Sequence, residues 1–595
     1  MFAIVPSTVA NKPAGSGYGP EAPMNDSQSP LVVATSPGSS PPSYETGALR
    51  LALGLAPGRP FNLGSLLSDR LCQQGHGGRL ALVWENHSRL RKDFTFDELR
   101  RYSDVWAGKL ADLGIVAGDR VCLFLDRVPD LYFAFLGILK LGAVAQPLFS
   151  QFMADALEVR LADADTRAVI TTARHVEKVR SVRARLPALS WVIITDVKPG
   201  AAPTLGEGET AMNAETAPAR AFTPFPANDD TPSLLHYTSG TTGRPKGAQH
   251  VHGSVLSQFA TTRHVLDLRP DDVYWCTADP GWVTGTSYGI IGPWAVGATQ
   301  AVFEAGFSAP RWYDFIARHR VTVFYTAPTA IRMLMKAPPP TAQQLVSLRH
   351  MCSVGEPLNP AAVLWAERVM GRPFHDTYWQ TETGAIMISN VPGLPIKPGS
   401  MGKPVPGIQA AILDAKTLQP ITTPGAPGLL AFRPPWPSMF RGYFKAEETY
   451  QSKFVGEYYL TGDRASVDSD GYYWFVGRDD DVINTAGHLV GPFEVESALL
   501  RHPAVAESAA VSKPDPTYGE VVKSFIVLRP GHAGTDELKL DIMNFVRKHL
   551  SPVAMPHAID FVDRLPKTRS GKILRRMLRA QEWGEPVGDL SSLDD

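Results

Sequence analysis

Tyr237-Thr-Ser-Gly-Thr-Thr-Gly-Arg-Pro-Lys-Gly247 carries the most specific local pattern of this sequence, and it follows the apolar Ser233-Leu-Leu235. An apolar run before a glycine-rich segment indicates a strand that leads into a loop. The glycines let the backbone turn tightly and approach an anion, the hydroxyl groups can donate hydrogen bonds, and Lys246 adds a positive charge. We interpret the segment as a cradle for a polyphosphate rather than as an ordinary surface turn. It is not a Walker A loop, because no Gly-Lys-Ser/Thr ends it.

Strands alternate with helices on the N-terminal side of this loop. Residues 121–125 and 191–196 are short apolar runs that predict buried strands, and 131–141 predicts a helix. Another helix is predicted to start with Asp97 near its cap. Strands that alternate with helices imply parallel sheets with helices packed on their faces. We therefore expect an α/β fold, in which a large N-terminal domain has stacked, mostly parallel sheets flanked by helices.

The chain has 595 residues, which is too many for one hydrophobic core, since single cores stop growing near ~250–300 residues. The pattern changes at the charged run Arg478-Asp-Asp-Asp481, and an α+β pattern follows it. Residues 1–48 include a stretch rich in Pro, Ser, Gly and Ala, which buries too little apolar surface to become ordered. We predict a flexible N-terminal tail at 1–48, a large domain at 49–477 and a small α+β domain at 478–595.

The charge balance argues against several classes of partner. Lys and Arg number 58 against 59 for Asp and Glu, a net charge of -1, whereas proteins that bind nucleic acid or anionic membrane usually have a basic excess. The cysteines stand far apart, which argues against structural zinc and disulfides. No apolar run is long enough for a transmembrane helix. We expect a cytoplasmic protein that binds neither nucleic acid nor membrane.

Four further motifs follow the glycine-rich loop along the chain. They are Tyr378-Trp-Gln-Thr-Glu-Thr-Gly384, Tyr459-Leu-Thr-Gly-Asp463, Gly477-Arg-Asp-Asp-Asp481 and Pro566-Lys-Thr-Arg-Ser-Gly-Lys572. Together with the loop, and in this order, they resemble the adenylate-forming superfamily, which comprises acyl-CoA synthetases, adenylation domains and luciferases. The resemblance covers the chain from about residue 60 to residue 580.

Four segments narrow the resemblance to acetyl-CoA synthetases, in particular to their shorter bacterial form. They are Ala278-Asp-Pro-Gly-Trp-Val-Thr-Gly-Thr-Ser-Tyr288, Phe324-Tyr-Thr-Ala-Pro-Thr-Ala-Ile-Arg-Met333, Ser353-Val-Gly-Glu-Pro-Leu-Asn359 and Ala486-Gly-His-Leu-Val-Gly-Pro-Phe-Glu494. The resemblance implies a ligase that joins acetate to CoA through an acetyl-adenylate, with ATP and CoA as co-substrates and Mg²⁺ as cofactor. It also implies that the small domain is mobile and rotates about a hinge at Asp480 between the two half-reactions.

The same resemblance implies the catalytic residues. Lys572 matches the lysine of the adenylation step, where a point cation stabilises the charge that gathers on the phosphoryl oxygens. Glu382 matches the ligand of Mg²⁺, a cation that prefers hard oxygen atoms, and Thr238 completes the catalytic set. The implied nucleotide-binding residues are Thr238, Ser239, Gly240, Thr241, Thr242, Gly243, Lys246, Gly355, Glu356, Pro357, Asp376, Thr377, Tyr378, Trp379, Gln380, Thr381, Asp463 and Arg478.

The resemblance also implies where the thiol substrate binds. Gly487 and His488 match the segment beside which the pantetheine arm of CoA passes close to the backbone. Leu489 departs from the longer acetyl-CoA synthetases, which have an arginine at that place. The chain therefore lacks the side chain that would contact a phosphate there.

The choice of acid is inferred from the residue before Gln380. Longer-chain ligases have a small residue there, often glycine, whereas this chain has Trp379, which would stop acyl chains beyond two or three carbons. The other implied acyl-pocket residues are Trp282, Val283, Thr284 and Val354. The less specific interpretation is that Trp379 packs elsewhere in the core. Tyr378 and Ala385 replace commoner residues, so propionate or another short acid is an open alternative.

Two other functions remain open from the sequence. One is an adenylating enzyme that passes its acyl group to a carrier protein, although no carrier domain with a phosphopantetheine serine follows residue 580. The other is a silent homologue that senses acyl-AMP or CoA, although such proteins usually lose the late lysine or the acidic residues present here. Acetylation would remove the charge of Lys572, which makes a lysine acetyltransferase and a deacetylase candidate partners.

Overall fold

The computed structural model describes residues 31–32, 45–196, 205–239, 245–485, 488–568 and 572–587. Most of the tail predicted at 1–48 lies outside these residues, and the helix Thr46–Ala52 crosses its predicted end. The strands, in chain order, are β1 (Leu31–Val32), β2 (Leu80–Asn86), β3 (Arg91–Thr95), β4 (Arg120–Phe124), β5 (Val144–Pro147), β6 (Ala168–Thr171), β7 (Trp191–Ile194), β8 (Glu209–Ala211), β9 (Pro232–Ser239), β10 (Pro245–Val251), β11 (Val273–Cys276), β12 (Thr299–Glu304), β13 (Val323–Thr326), β14 (His350–Val354), β15 (His375–Tyr378), β16 (Ile388–Ser389), β17 (Pro395–Ile396), β18 (Lys403–Pro404), β19 (Ala410–Leu413), β20 (Gly428–Phe432), β21 (Phe454–Val455), β22 (Tyr458–Val467), β23 (Tyr473–Arg478), β24 (Ile483–Thr485), β25 (His488–Val490), β26 (Val505–Asp515), β27 (Gly519–Leu528) and β28 (Ala558–Phe561).

The helices pack on the faces of the larger sheets and within the small domain. In chain order they are α1 (Thr46–Ala52), α2 (Leu63–Gln73), α3 (Phe96–Asp112), α4 (Pro129–Leu141), α5 (Ala154–Asp163), α6 (Val176–Arg183), α7 (Val255–His264), α8 (Val283–Thr286), α9 (Gly292–Val296), α10 (Ala309–Arg318), α11 (Pro328–Met335), α12 (Pro360–Met370), α13 (Glu447–Gln451), α14 (Pro492–Leu499), α15 (Asp536–His549) and α16 (Arg575–Trp583). Within the described part of the chain, none of these helices is long and apolar enough to cross a membrane.

Two mostly parallel sheets form the large domain, and they confirm the predicted α/β class. One has the strand order β10-β9-β5-β4-β6-β7-β8, and the other has the order β18-β16-β15-β14-β13-β11-β12-β2-β3. The largest hydrophobic cluster contains residues of both sheets and of the helices α3 and α4, for instance Ile170, Val302, Trp106 and Phe133. The central core of the large domain is therefore the space between the two sheets.

Two smaller sheets follow along the chain. The strands β19 to β23 form an antiparallel sheet, and β24 to β28 form the sheet of the small domain. The chain passes from one to the other between Arg478 and Ile483, which is the charged run where the sequence predicts a boundary. The division into two domains and the mobility of the second one stay predictions.

Helix α3 begins where the sequence predicts, with Asp97 near its cap. Helix α3 begins at Phe96, and its N-cap is Thr95, whose Oγ1 accepts a hydrogen bond from the backbone N–H of Glu98. The carboxylate of Glu98 in turn accepts from the backbone N–H of Thr95 at 2.8 Å. This reciprocal Thr-x-x-Glu box satisfies two backbone donors and so fixes the start of the helix, and Asp97 lies in the first turn.

Candidate functional site

A cavity of about 590 Å³ lies where the large domain meets the small one. One wall is made by the residues at and after the ends of β14 and β15, which are neighbours in the parallel part of their sheet. The carboxyl ends of parallel strands are where α/β proteins usually bind ligands. The small domain supplies the opposite wall, which includes Glu496, Glu507 and Lys572.

Most of the residues predicted from the sequence line this cavity. They are Thr238, Lys246, Trp282, Val283, Thr284, Val354, Gly355, Glu356, Pro357, Asp376, Thr377, Tyr378, Trp379, Gln380, Thr381, Glu382, Asp463, Arg478 and Lys572. The fold thus brings together residues that lie hundreds of positions apart. Their individual roles stay predictions.

Some predicted residues lie elsewhere. Outside the described residues are Gly240, Thr241, Thr242, Gly243 and Gly487, and also the side chain of Ser239. His488 begins β25 and is exposed, and Asp480 is exposed in the link between β23 and β24. Neither residue lines the cavity in this arrangement of the domains, so the predicted contact of His488 with CoA requires a different orientation of the small domain.

The two ends of the glycine-rich segment lie on β9 and β10, which pair antiparallel. Thr238 lies directly opposite Lys246 in this antiparallel pair, so a hydroxyl and an ammonium group face the cavity together. Burial lowers the pKa of Lys246, the nearby Lys453 lowers it further, and Glu382 opposes the shift. A bound polyphosphate would relieve the repulsion between the two lysines, because an opposite charge favours the protonated ammonium.

Asp463 is a buried carboxylate with neighbours that fix its orientation. It accepts hydrogen bonds from the hydroxyl of Tyr378 at 2.5 Å and from the side-chain amide of Gln380 at 2.8 Å. Arg478 lies directly opposite it on β23, with 3.3 Å between the charged groups. Burial raises the pKa of Asp463, and Arg478 gives the strongest opposing effect. A carboxylate anchored in this way presents acceptor oxygens at fixed positions, as a ribose with two hydroxyl donors requires.

Replacing Asp463 with asparagine is expected to raise the KM for ATP about 10- to 100-fold, because a hydrogen bond to a charged group contributes roughly 1.5–3 kcal/mol. The asparagine side chain would also place its own N–H donors near the donors Tyr378 and Gln380. Steady-state kinetics at saturating acid and CoA measures the change. Asp468→Asn is the matched control, since Asp468 pairs with Lys397 at 2.7 Å and does not line the cavity. An equal KM in both variants would contradict the ribose contact.

Glu382 is held at the end of the motif that follows β15. Its Oε1 accepts a hydrogen bond from the hydroxyl of Tyr443 at 2.6 Å, and its carbonyl accepts from the N–H of Phe440 at 2.9 Å. The part of the chain that the structure describes contains no group of three or more His, Cys, Asp or Glu side chains arranged to hold a metal. One fixed carboxylate does fit Mg²⁺, which is usually bound by one or two carboxylates together with substrate phosphates.

Lys572 reaches the cavity from a short backbone hairpin. Lys567 and Ile573 pair in a β-bridge, and the N–H of Thr568 donates to the carbonyl of Lys572 at 2.7 Å. The side chain passes over Gly355, where the Cβ of a larger residue would lie 4.0 Å from the Lys572 Cε. Gly355 has a φ of 95°, a conformation that favours glycine. The paired backbone around Lys572 and the absence of a side chain at Gly355 therefore let the lysine extend into the cavity.

Charges from both domains act on the Lys572 ammonium. The side chain keeps solvent access within the cavity although protein surrounds it. Desolvation lowers its pKa below the usual lysine value, Glu356 opposes this shift, Arg478 reinforces it, and Asp463 opposes it again. An anionic phosphate beside Lys572 would favour the protonated form.

Trp379 both packs against the core and faces the cavity. Its ring meets that of Tyr288 edge to face, with 5.0 Å between the centroids, and its Nε1 donates to the hydroxyl of Tyr325 at 3.4 Å. Ala385 is buried and does not line the cavity, while the hydroxyl of Tyr378 points to Asp463. The other predicted acyl-pocket residues that share the cavity with the indole are Trp282, Val283, Thr284 and Val354.

Four residues that line the cavity were not among those predicted from the sequence, namely Thr329, Arg332, Tyr443 and Lys453. The carboxylate of Glu356 accepts hydrogen bonds from Thr329 at 2.6 Å and from Arg332 at 2.8 Å, both on α11. Tyr443 and Lys453 approach the phosphate side of the cavity from the segment between β20 and β22. Thr329 and Arg332 lie in the segment 324–333 without having been assigned to the site, whereas Tyr443 and Lys453 lie outside the motifs, and no local pattern distinguishes those two from surface or core residues.

Comparison with known proteins supports this description. A family model described as AMP-binding enzyme matches residues 70–444, and one described as AMP-binding enzyme C-terminal domain matches residues 494–572. The chain is 45% identical over 538 residues to an acetyl-coenzyme A synthetase of Bacillus subtilis (strain 168), which covers 89% of this chain and 91% of that protein. It is 40% identical to an acetyl-coenzyme A synthetase of Pyrobaculum aerophilum, with 90% and 85% covered.

Solved structures share the fold. An acyl-CoA synthetase of Brucella canis superposes with a TM-score of 0.68 at 36% identity, with 90% of this chain and 97% of that chain covered. An anthranilate CoA ligase in complex with anthranoyl-AMP gives a TM-score of 0.78 at 29% identity, with 88% and 97% covered. The first family model alone spans more than half of the sequence. This chain therefore belongs to the family of AMP-binding enzymes, as its motifs predict.

Proposed function

We propose that this enzyme is an acetate–CoA ligase, which converts ATP, acetate and CoA into acetyl-CoA, AMP and diphosphate. The observation that carries the proposal is that Trp379 faces the same cavity as Lys572 and Asp463. A bulky indole beside the nucleotide wall leaves space for a short acid. The names of the similar acetyl-coenzyme A synthetases support the choice of acetate.

In the first half-reaction, a carboxylate oxygen of acetate attacks the α-phosphorus of ATP, and the bond from that phosphorus to the diphosphate oxygen breaks. Negative charge grows on the phosphoryl oxygens, where the Lys572 ammonium stabilises it. Thr238 and Lys246 hold the leaving diphosphate, and Asp463 holds the ribose. Acetyl-AMP and diphosphate are the products.

The cofactor of this step is proposed to be Mg²⁺, which would be held by Glu382 together with phosphate oxygens of the nucleotide. When bound, it neutralises phosphate charge. Tyr443 orients the Glu382 carboxylate through its hydrogen bond. Acetylation of Lys572 by a lysine acetyltransferase would remove the ammonium charge from this step, and a deacetylase would restore it.

In the second half-reaction, the CoA thiol loses its proton to solvent and its sulfur attacks the acetyl carbonyl. The bond from the carbonyl carbon to the phosphate oxygen breaks, and AMP leaves as the thioester forms. We propose that the small domain rotates about Asp480 before this step. The rotation moves Lys572 away and brings Gly487 and His488 to the cavity. Exclusion of water at this stage protects the acetyl-adenylate from hydrolysis.

A test uses purified enzyme with ATP, Mg²⁺ and one of four acids, namely acetate, propionate, butyrate and octanoate, each with and without CoA. Diphosphate, AMP and acyl-CoA are measured separately. We expect acetate-dependent acetyl-CoA and AMP, with activity that falls steeply beyond propionate, since each methylene changes binding by roughly 1–3 kcal/mol.

Other outcomes distinguish the alternatives. Faster turnover of propionate than of acetate would be consistent with the proposed mechanism and would show that propionate is the preferred substrate. Diphosphate release without acyl-CoA, together with acyl transfer to an added carrier protein, would show a carrier-dependent enzyme. No diphosphate from any acid would indicate a silent homologue and contradict the proposal.

A further inference from the structure

We propose that Glu507 is a positioning residue that joins the Lys572 hairpin to the large domain in the arrangement competent for adenylation. This inference rests on the proposed function. Glu507 lies on β26 of the small domain and lines the cavity. It does not belong to any of the motifs that the sequence singles out.

Glu507 bridges two lysines that belong to different domains. Its Oε2 accepts a hydrogen bond from the Nζ of Lys567 at 2.6 Å, and its Oε1 accepts from the Nζ of Lys336 at 3.2 Å. Burial raises the pKa of Glu507, but the hydrogen bond and charge of Lys567, followed by those of Lys336, outweigh burial and hold the pKa below its usual value. The carboxylate is therefore anionic at neutral pH and can pair with both lysines.

The first lysine connects Glu507 to the catalytic hairpin. Lys567 forms the base of that hairpin through its β-bridge with Ile573. The backbone of Thr568 is hydrogen-bonded to Lys572, and the N–H of Lys572 donates to the Thr568 Oγ1 at 3.1 Å. Fixing Lys567 thus fixes the backbone pairing that holds Lys572 in place.

The second lysine connects Glu507 to the nucleotide wall of the large domain. Lys336 is the C-cap residue of α11. The same helix carries Thr329 and Arg332, whose side chains hold Glu356 beside Lys572. One carboxylate therefore links the hairpin, the small-domain sheet and a helix of the large domain.

This linkage would affect the two half-reactions differently. Only adenylation requires Lys572 in the cavity, so loss of the link should lower the population of the domain arrangement that performs it. The pair Lys336–Glu507 is partly exposed, and ion pairs of this kind change an equilibrium by at most about fivefold. Thioester formation, which we propose to use the rotated arrangement, does not depend on the link.

The test compares Glu507→Gln and Lys336→Met with wild-type enzyme in separate half-reactions. We expect acetyl-AMP formation to fall by up to about fivefold, while acetyl-CoA formation from preformed acetyl-AMP stays equal or rises. Asp560→Asn is the matched control, because Asp560 pairs with Lys523 at 2.8 Å within the small domain and does not line the cavity. In the double variant Lys336→Met/Glu507→Gln, the rate of acetyl-AMP formation should fall by less than the product of the two single-variant effects, since both changes break the same link.

A second measurement does not depend on the chemistry. Dyes attached at Glu367→Cys in the large domain and Asp536→Cys in the small domain, both exposed positions, report the domain arrangement by energy transfer. We expect Glu507→Gln to shift the distribution of transfer efficiency, and Asp560→Asn to leave it unchanged. An unshifted distribution, or an equal loss of both half-reactions, would overturn the role of Glu507. If wild-type enzyme forms no acetyl-AMP while the distribution still shifts, the proposed function fails and the interdomain link stands.

Discussion

Replacing Lys572 with methionine is expected to slow acetyl-AMP formation by at least about a hundredfold, the loss typical when one group that stabilises a transition-state charge is removed. Methionine keeps most of the length of the side chain that passes over Gly355 but carries no charge. Acetyl-CoA formation from preformed acetyl-AMP should stay within about twofold of wild type, because the proposed mechanism uses this ammonium only in the first half-reaction. Single-turnover measurements of diphosphate release and of thioester formation separate the two steps.

Lys548→Met provides the control for this change. Lys548 is an exposed lysine in the last turn of α15 and does not line the cavity. The substitution Lys548→Met removes one positive charge from the small domain, as Lys572→Met does, and should leave the rates of both half-reactions unaltered. If Lys572→Met slowed the two half-reactions equally, the lysine would serve the structure of the small domain rather than adenylation.

Shortening the side chain at position 379 is expected to redirect the enzyme toward longer acids. In the series Trp379→Phe, Trp379→Leu and Trp379→Gly, the best acid should lengthen stepwise, and the ratio of kcat/KM for butyrate to that for acetate should rise at least about tenfold in the glycine variant. The reason is that the indole lines the same cavity as Val283 and Val354, so its removal enlarges that cavity. The measurement is kcat/KM for acids of two to eight carbons.

Loss of stability needs a separate control, because Trp379 also packs on Tyr288. The thermal midpoint of each variant should be measured, and assays should be run well below it. An unchanged acid profile in folded variants would show that another residue limits the chain length. A uniform fall for all acids would mean that the indole supports the nucleotide wall instead.

The parts of the site that could be predicted are those encoded by contiguous residues. The segment 237–247 has glycines, hydroxyls and a lysine in one short run, which is enough to predict a phosphate cradle, because such cradles are made largely from consecutive backbone groups. The strand before that loop was confirmed as β9. The parallel sheets were also predictable, since apolar runs that alternate with amphipathic helices have few other arrangements.

The parts that could not be predicted are contacts between distant segments. The hydrogen bond of Tyr443 to Glu382 joins residues 61 positions apart, and that of Lys567 to Glu507 joins residues 60 positions apart. A local pattern contains no information about such pairs. The antiparallel sheet of β19 to β23 was also missed, because strands such as β21 have only two residues and show no periodicity.

The walls of the cavity belong to regions that are packed separately. Trp379 packs on the core between the large sheets and on the cluster of the antiparallel sheet, while the small domain has its own clusters. Heat should therefore disturb the mutual placement of these regions before any one of them melts, because contacts between regions open at lower free energy than the cores themselves. We expect inactivation to precede the loss of helical ellipticity on slow heating, and bound nucleotide to bring the two transitions closer together.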